Sequence, residues 1–155
     1  MKSIKRCDWP GNDELMINYH DEEWSTPLHD DYKLFEYFVL DAFQAGLSWK
    51  TILYRREGFR KAFSNFDFKK VAKYTSEDFN RLMNDSGIIR NKLKIQATII
   101  NAQKFIEIRK EFGSFDKYIW QFTNHKTLQH NFKSIKDLPS KTNESDLMSL
   151  DLKKR

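Results

Sequence analysis

One cysteine, Cys7, is the only thiol in this 155-residue chain, which excludes a disulfide within it. A lone thiol fits a reducing compartment or a side chain reserved for a metal. Glycine (5) and proline (3) are scarce, which argues against a sandwich or barrel built from many tight turns. No apolar run approaches the roughly 20 residues that span a bilayer. The opening MKSIKRCDWP has no apolar leader stretch. Repeats, low-complexity tracts and sustained strand alternation are also missing. The expectation is a cytoplasmic protein without membrane contact.

Aromatic and charged residues are abundant. Phe, Trp and Tyr make up 15% of the chain, and apolar residues 39%. That suffices for one core, and the length suits a single domain over 1–155. Lys and Arg number 27 against 22 Asp and Glu, a net charge of +5. A basic surface is compatible with a polyanionic partner, though it does not require one.

The patterning predicts an all-α fold. Residues 30–43 open with acids and carry Leu34, Phe38 and Asp41 at helical spacing. Ser48 is a fitting N-cap for 48–63, with Ile52, Phe59 and Phe63 on one stripe and Gly58 as a weak point. A short capped helix is predicted at 67–73. Another follows at 76–86, with Gly87 at its C′ position. The clearest period is 93–112, where Ile95, Ile99, Ala102 and Ile106 recur until Gly113. Ser114 caps FDKYIWQF, and a last helix is predicted near 143–154. The first 30 residues hold Cys7, Trp9, Tyr19, His20 and Trp24 with little period, and read as an irregular segment that needs a tether.

Four groupings can carry chemistry. Residues 76–112, with Arg90, Lys92 and Lys94 around the link GIIRNK, have the spacing of a helix-hairpin-helix. Its backbone N–H groups grip a DNA phosphate; an ordinary αα-corner has the same spacing. The run KTILYRREGFRKAF sets Lys50, Arg55, Arg56, Arg60 and Lys61 against Glu57, either a phosphate-tracking face or a solvated one. Cys7 and His20 are zinc-ligand types, but structural zinc takes four protein ligands. Spacing alone favours a buried thiol and a hydrogen-bonded histidine. Finally, LDAFQAGLSW brings Asp41 and Trp49 together across a glycine turn. A carboxylate and an indole face suit a flat cation; a core tryptophan is the plainer alternative.

The stretches CDW, YHDEEW, LFEYFVLDAFQAGLSWKTILYRREGFRKAF, SGIIRNKLKIQATIINA and FDKYIWQF follow one another in order. Together they closely resemble the bacterial DNA-3-methyladenine glycosylase I family, from Cys7 to Arg155. The resemblance implies an all-α helix-hairpin-helix glycosylase that flips 3-methyladenine out of double-stranded DNA. It then hydrolyses the N-glycosidic bond without a lysine Schiff base, acting as a monomer. The family's stacking tryptophan falls on Trp49, its base-contacting tyrosine on Tyr19 and its pocket acid, the catalytic candidate, on Asp41. Trp9 falls on an aromatic near the pocket. Gly46 and Leu47 match the loop that probes DNA at the lesion, and Gly87, Arg90 and Lys92 lie in the DNA-binding hairpin. Cys7 and His20 match two ligands of a structural zinc clamp.

Four positions depart from the family pattern. Asp41 stands where Glu is usual, Met16 replaces a second pocket tyrosine, Phe43 precedes the QAG glutamine, and Ser25 replaces a glycine. Family members also continue past LKKR with a segment supplying a second His and a second Cys to the zinc. An incomplete site and a fragment of a longer gene are therefore expected. Besides the enzyme, two alternatives fit the sequence: a non-catalytic DNA-binding relative with a degenerate pocket, and a helical adaptor.

Overall fold

The computed structural model describes residues 6–130, 132 and 134–155, and no strand occurs among them. The helices are α1 (Glu14–Glu22), α2 (Asp31–Gln44), α3 (Trp49–Tyr54), α4 (Arg56–Ala62), α5 (Phe68–Val71), α6 (Ser76–Met83), α7 (Lys92–Phe112), α8 (Phe115–Trp120) and α9 (Asn143–Lys154). None among the described residues is long and apolar enough to cross a membrane.

Caps set most of the starts. The backbone N–H groups of Thr51, Lys69 and Lys117 donate to the side chains of Ser48, Asp67 and Ser114. Each satisfies one donor that a helix start otherwise leaves orphaned. Gly113, at φ +87°, ends α7 as its lack of a Cβ permits. Phenylalanine builds the core: Phe35, Phe43, Phe59, Phe63, Phe66, Phe68 and Tyr118 are fully buried. They pack around α7, whose Phe105 stacks on Phe115 at 4.0 Å between centroids.

Several expectations change. The N-terminal segment is not irregular throughout, because α1 forms within it, started by Asp13, which accepts from Met16 N–H. The predicted helix 48–63 is two helices that break at Arg55. The buried stripe of α7 runs through Ile95, Thr98, Ala102, Phe105 and Ile108, leaving Ile99 and Ile106 at its margin. Gly87 is not a helix C′ residue, since α6 ends earlier, with Asn84 as its C-cap. Gly87 instead lies against Gly58 of α4. A Cβ at Gly58 would stand 2.4 Å from the Gly87 carbonyl oxygen. The glycine that weakens α4 on propensity thus permits the hairpin's close approach.

Candidate active site

α1, the turn after it, α2 and α4 enclose a cavity of about 650 Å³ whose walls include Tyr19, Glu23, Tyr37, Asp41, Arg56 and Arg60. Tyr19 comes from the middle of α1 and Asp41 from the last turn of α2. Water reaches Asp41 at the mouth, while packed protein closes its other sides. Asp41 remains an exposed residue, but the protein around it on the cavity wall partly desolvates the carboxyl and pushes it above the usual range. Burial, reinforced by Asp41 and Glu23, raises the Tyr19 phenol to about 12. Tyr19 is therefore a hydrogen-bond donor at neutral pH.

Trp49 opens α3. Its ring lies 5.2 Å from that of Tyr19, tilted by 46°. At that separation the rings touch each other and form one surface rather than a slot. Trp49 also packs on the core, and its indole N–H is buried without an acceptor. A buried donor left unpaired is costly, so a ligand acceptor there would recover free energy. Neither Trp49 nor Trp9 is part of the cavity wall; Trp49 reaches the site only through Tyr19, and Trp9 meets the edge of Tyr19 at 6.3 Å and also touches His20 and Trp24. Met16 is buried.

Two arginines of the basic run face inward, contrary to both readings of that run. Arg56 clasps Glu23 through both terminal nitrogens, at 2.9 and 2.8 Å, and gives its Nε to Glu36 at 2.7 Å. Arg60 joins the same Glu36 oxygen. Burial works to raise the Glu23 carboxyl, but hydrogen bonds from Arg56 and Tyr37 outweigh it and hold the pKa below the usual range. Lys50 pairs with Asp13, and Arg55 donates to the Ser86 carbonyl. These charges tie α1 and the hairpin to the body. Glu23, Tyr37, Arg56 and Arg60 carry no local signal as pocket residues, because the partner of a charge is not a local property.

Gly46, at φ +82° in open space, makes the turn between Asp41 and Trp49, and the neighbouring Leu47 is exposed. Arg90 and Lys92 are exposed beside the link between α6 and α7. Lys94 is not available there, because its ammonium is held by α2 carbonyls. Ser25 has φ +61°, the left-handed region where glycine is unstrained. This accounts for the glycine that the family resemblance leads one to expect at that position.

His20 meets part of the requirement for a metal ligand. Its Nδ1 lies 2.9 Å from the Asp21 carboxylate, and its buried Nε2 has no partner. In the neutral ring this fixes the proton on Nδ1 and leaves a lone pair on Nε2. Cys7 is an exposed free thiol. No group of three or more His, Cys, Asp or Glu able to hold a metal exists among the described residues. Cys7 and His20 therefore remain two donors of the four a structural zinc takes.

The methyladenine glycosylase family profile matches residues 9–155. The chain is 43% identical to a DNA-3-methyladenine glycosylase of Haemophilus influenzae, over 97% of this chain and 81% of that protein. A crystal structure of 3-methyladenine DNA glycosylase I superposes with a TM-score of 0.92 at 41% identity, covering 97% and 82% of the two chains. A tyrosine-to-phenylalanine variant of 3-methyladenine DNA glycosylase I, crystallised in complex with 3-methyladenine, gives 0.92 at 33% identity, covering 97% and 81%.

Proposed function

This chain belongs to the methyladenine glycosylase family, and from that premise we propose that it releases 3-methyladenine from alkylated DNA by hydrolysing the N-glycosidic bond. It is an enzyme of base-excision repair. The observation that carries this reading is the meeting of Tyr19 and Asp41 in one cavity, with the Trp49 ring laid against Tyr19.

N3-alkylation gives the adenine in DNA a positive charge and makes it a good leaving group. The pocket need not protonate it; it must take the base out of the stack and hold it while water attacks the sugar carbon. The aromatic surface of Tyr19 and Trp49 attracts a flat cation more than neutral adenine. Asp41, water-accessible but partly desolvated on the cavity wall, gains from a cationic neighbour and accepts a base N–H. Tyr19 donates from its protonated phenol. Selectivity then follows from charge, since neutral adenine leaves the Asp41 carboxylate uncompensated.

The hairpin between α6 and α7, with Gly87, Arg90 and Lys92, grips the phosphate backbone of duplex DNA. Gly46 and Leu47 probe the duplex at the lesion, and the protein acts as a monomer. The lone pair on His20 Nε2 and the Cys7 thiol supply two zinc ligands, which would hold the N-terminal segment beside Trp9.

Chromatography of bases released from methylated DNA tests the enzyme reading. Free 3-methyladenine should appear without strand cleavage. No release by the folded protein would refute it.

A further inference from the structure

The exposed Arg90 and Lys92 flank the hairpin, but Lys94 on the same turn of α7 is committed elsewhere. Its Nζ donates to the carbonyl oxygens of Phe43 at 2.7 Å and Ala45 at 2.6 Å. These carbonyls belong to the end of α2, which has no basic residue in its own last turn. The carbonyl between them, that of Gln44, accepts from Leu47 N–H. A helix C-terminus carries partial negative charge and orphaned carbonyls. Here the compensating cation comes from α7, distant in sequence.

We propose that Lys94 is a positioning residue that couples the seating of DNA on the hairpin to the geometry of the base pocket; this rests on the glycosylase reading above. The residue has two attachments. Its backbone N–H donates to Asn91, the cap that closes the hairpin onto α7, at 3.1 Å. Its side chain holds the end of α2, one turn beyond Asp41 and just before the Gly46 turn that leads to Trp49. Two further ties hold the hairpin itself against α4. Arg55 donates to the Ser86 carbonyl at 2.9 Å, and Gly58 lies against Gly87. A phosphate bound at the hairpin fixes the first turn of α7. Lys94 carries that constraint to the carbonyls beside Asp41. Its charge serves the protein's own backbone rather than the DNA.

Lys94→Met removes the cation and keeps the apolar stem, while Lys94→Arg keeps the charge. The 155-residue chain and both variants are compared in single-turnover excision from saturating methylated duplex. Duplex affinity is measured across salt concentrations, and free 3-methyladenine is titrated by tryptophan fluorescence. Lys94→Met should lose on the order of 10–100-fold in excision rate, the cost of a misplaced reacting group. Its salt slope and its affinity for the free base should not change, and Lys94→Arg should recover most of the rate. A slope lowered by about one unit would make Lys94 a phosphate contact and overturn the proposal. Parallel loss of free-base affinity would overturn it too, because Lys94 would then merely maintain the pocket. An unchanged rate would have the same consequence. Should Lys94→Met not fold by circular dichroism, Lys94→Gln, which keeps a donor, carries the same three readings. Failure of the unsubstituted chain to release base is a separate outcome; it overturns the glycosylase reading, and this proposal with it.

Discussion

Replacing Gly58 by alanine sets two effects of opposite sign against each other, and the structure decides which wins. Helix propensity favours alanine by about 1 kcal/mol in a helix interior. Packing opposes it. The new Cβ would lie 2.4 Å from the Gly87 carbonyl oxygen and 3.0 Å from its carbonyl carbon. Both partners are backbone, so neither can turn a side chain away. α4 cannot retreat, because Phe59 and Ala62 behind it are buried and Arg56 is clasped between Glu23 and Glu36. The hairpin is held by buried Ile88 and by the bond from Arg55 to Ser86. Overpacking costs about 1–3 kcal/mol and more where nothing can give. Taking the upper end, Gly58→Ala should destabilise by about 2 kcal/mol net. For a domain of this size that is a fall of about 4–8 °C in Tm. Because the displaced element is the hairpin, duplex affinity should fall while free 3-methyladenine still binds. Thermal or urea unfolding, with parallel DNA and free-base titrations, measures both. A Gly58→Ala protein as stable as the parent would refute the close-approach account.

Four further outcomes are expected. Trp49→Ala should weaken binding of free 3-methyladenine by about 1–3 kcal/mol, the range for base–aromatic stacking, measured by isothermal titration; unchanged affinity in a folded variant would leave Trp49 a core residue only. The raised Asp41 pKa means the folded protein holds that proton more tightly than the unfolded chain does. The ionised carboxylate therefore destabilises the fold above that pKa, and protonation relieves this as pH falls. Binding of the cationic base shows the opposite trend. It should weaken on acidification from a pH above the ordinary aspartate range, and this acid limb should vanish in Asp41→Asn. Replacing Arg90 or Lys92 should lower the slope of log affinity against log salt by about one unit for each phosphate no longer neutralised; an unaltered slope in duplex titrations would make them solvated residues. With two ligands, Cys7 and His20 should hold zinc weakly, so elemental analysis of the purified 155-residue chain should find far less than one zinc per molecule. One tightly bound zinc would contradict this and direct attention to His29, His125 and His130.

The helical class and most helix starts were legible in the order of residues, because capping and the 3.6-residue period act within a single turn. Ser48, Asp67 and Ser114 cap where their types indicate, and Gly113 ends α7 at positive φ. The ordered motifs around Asp41, Trp49 and GIIRN also identified the family. α1 escaped because its apolar residues crowd into one run, Leu15 to Ile17, with Tyr19 alone after it, which leaves little period to read; Asp13 followed by Glu14 was the available start signal. Other features were decided only in three dimensions. Arg56 and Arg60 read as surface charge until Glu23 and Glu36, from earlier elements, fold over them. Lys94 read as one more basic residue beside the hairpin until the end of α2 reached it. Gly58 read as a flaw until Gly87 packed against it. Local backbone preferences are written in neighbouring residues. The partner of a charge, and the space left for a missing side chain, depend on elements that meet only when the chain is folded.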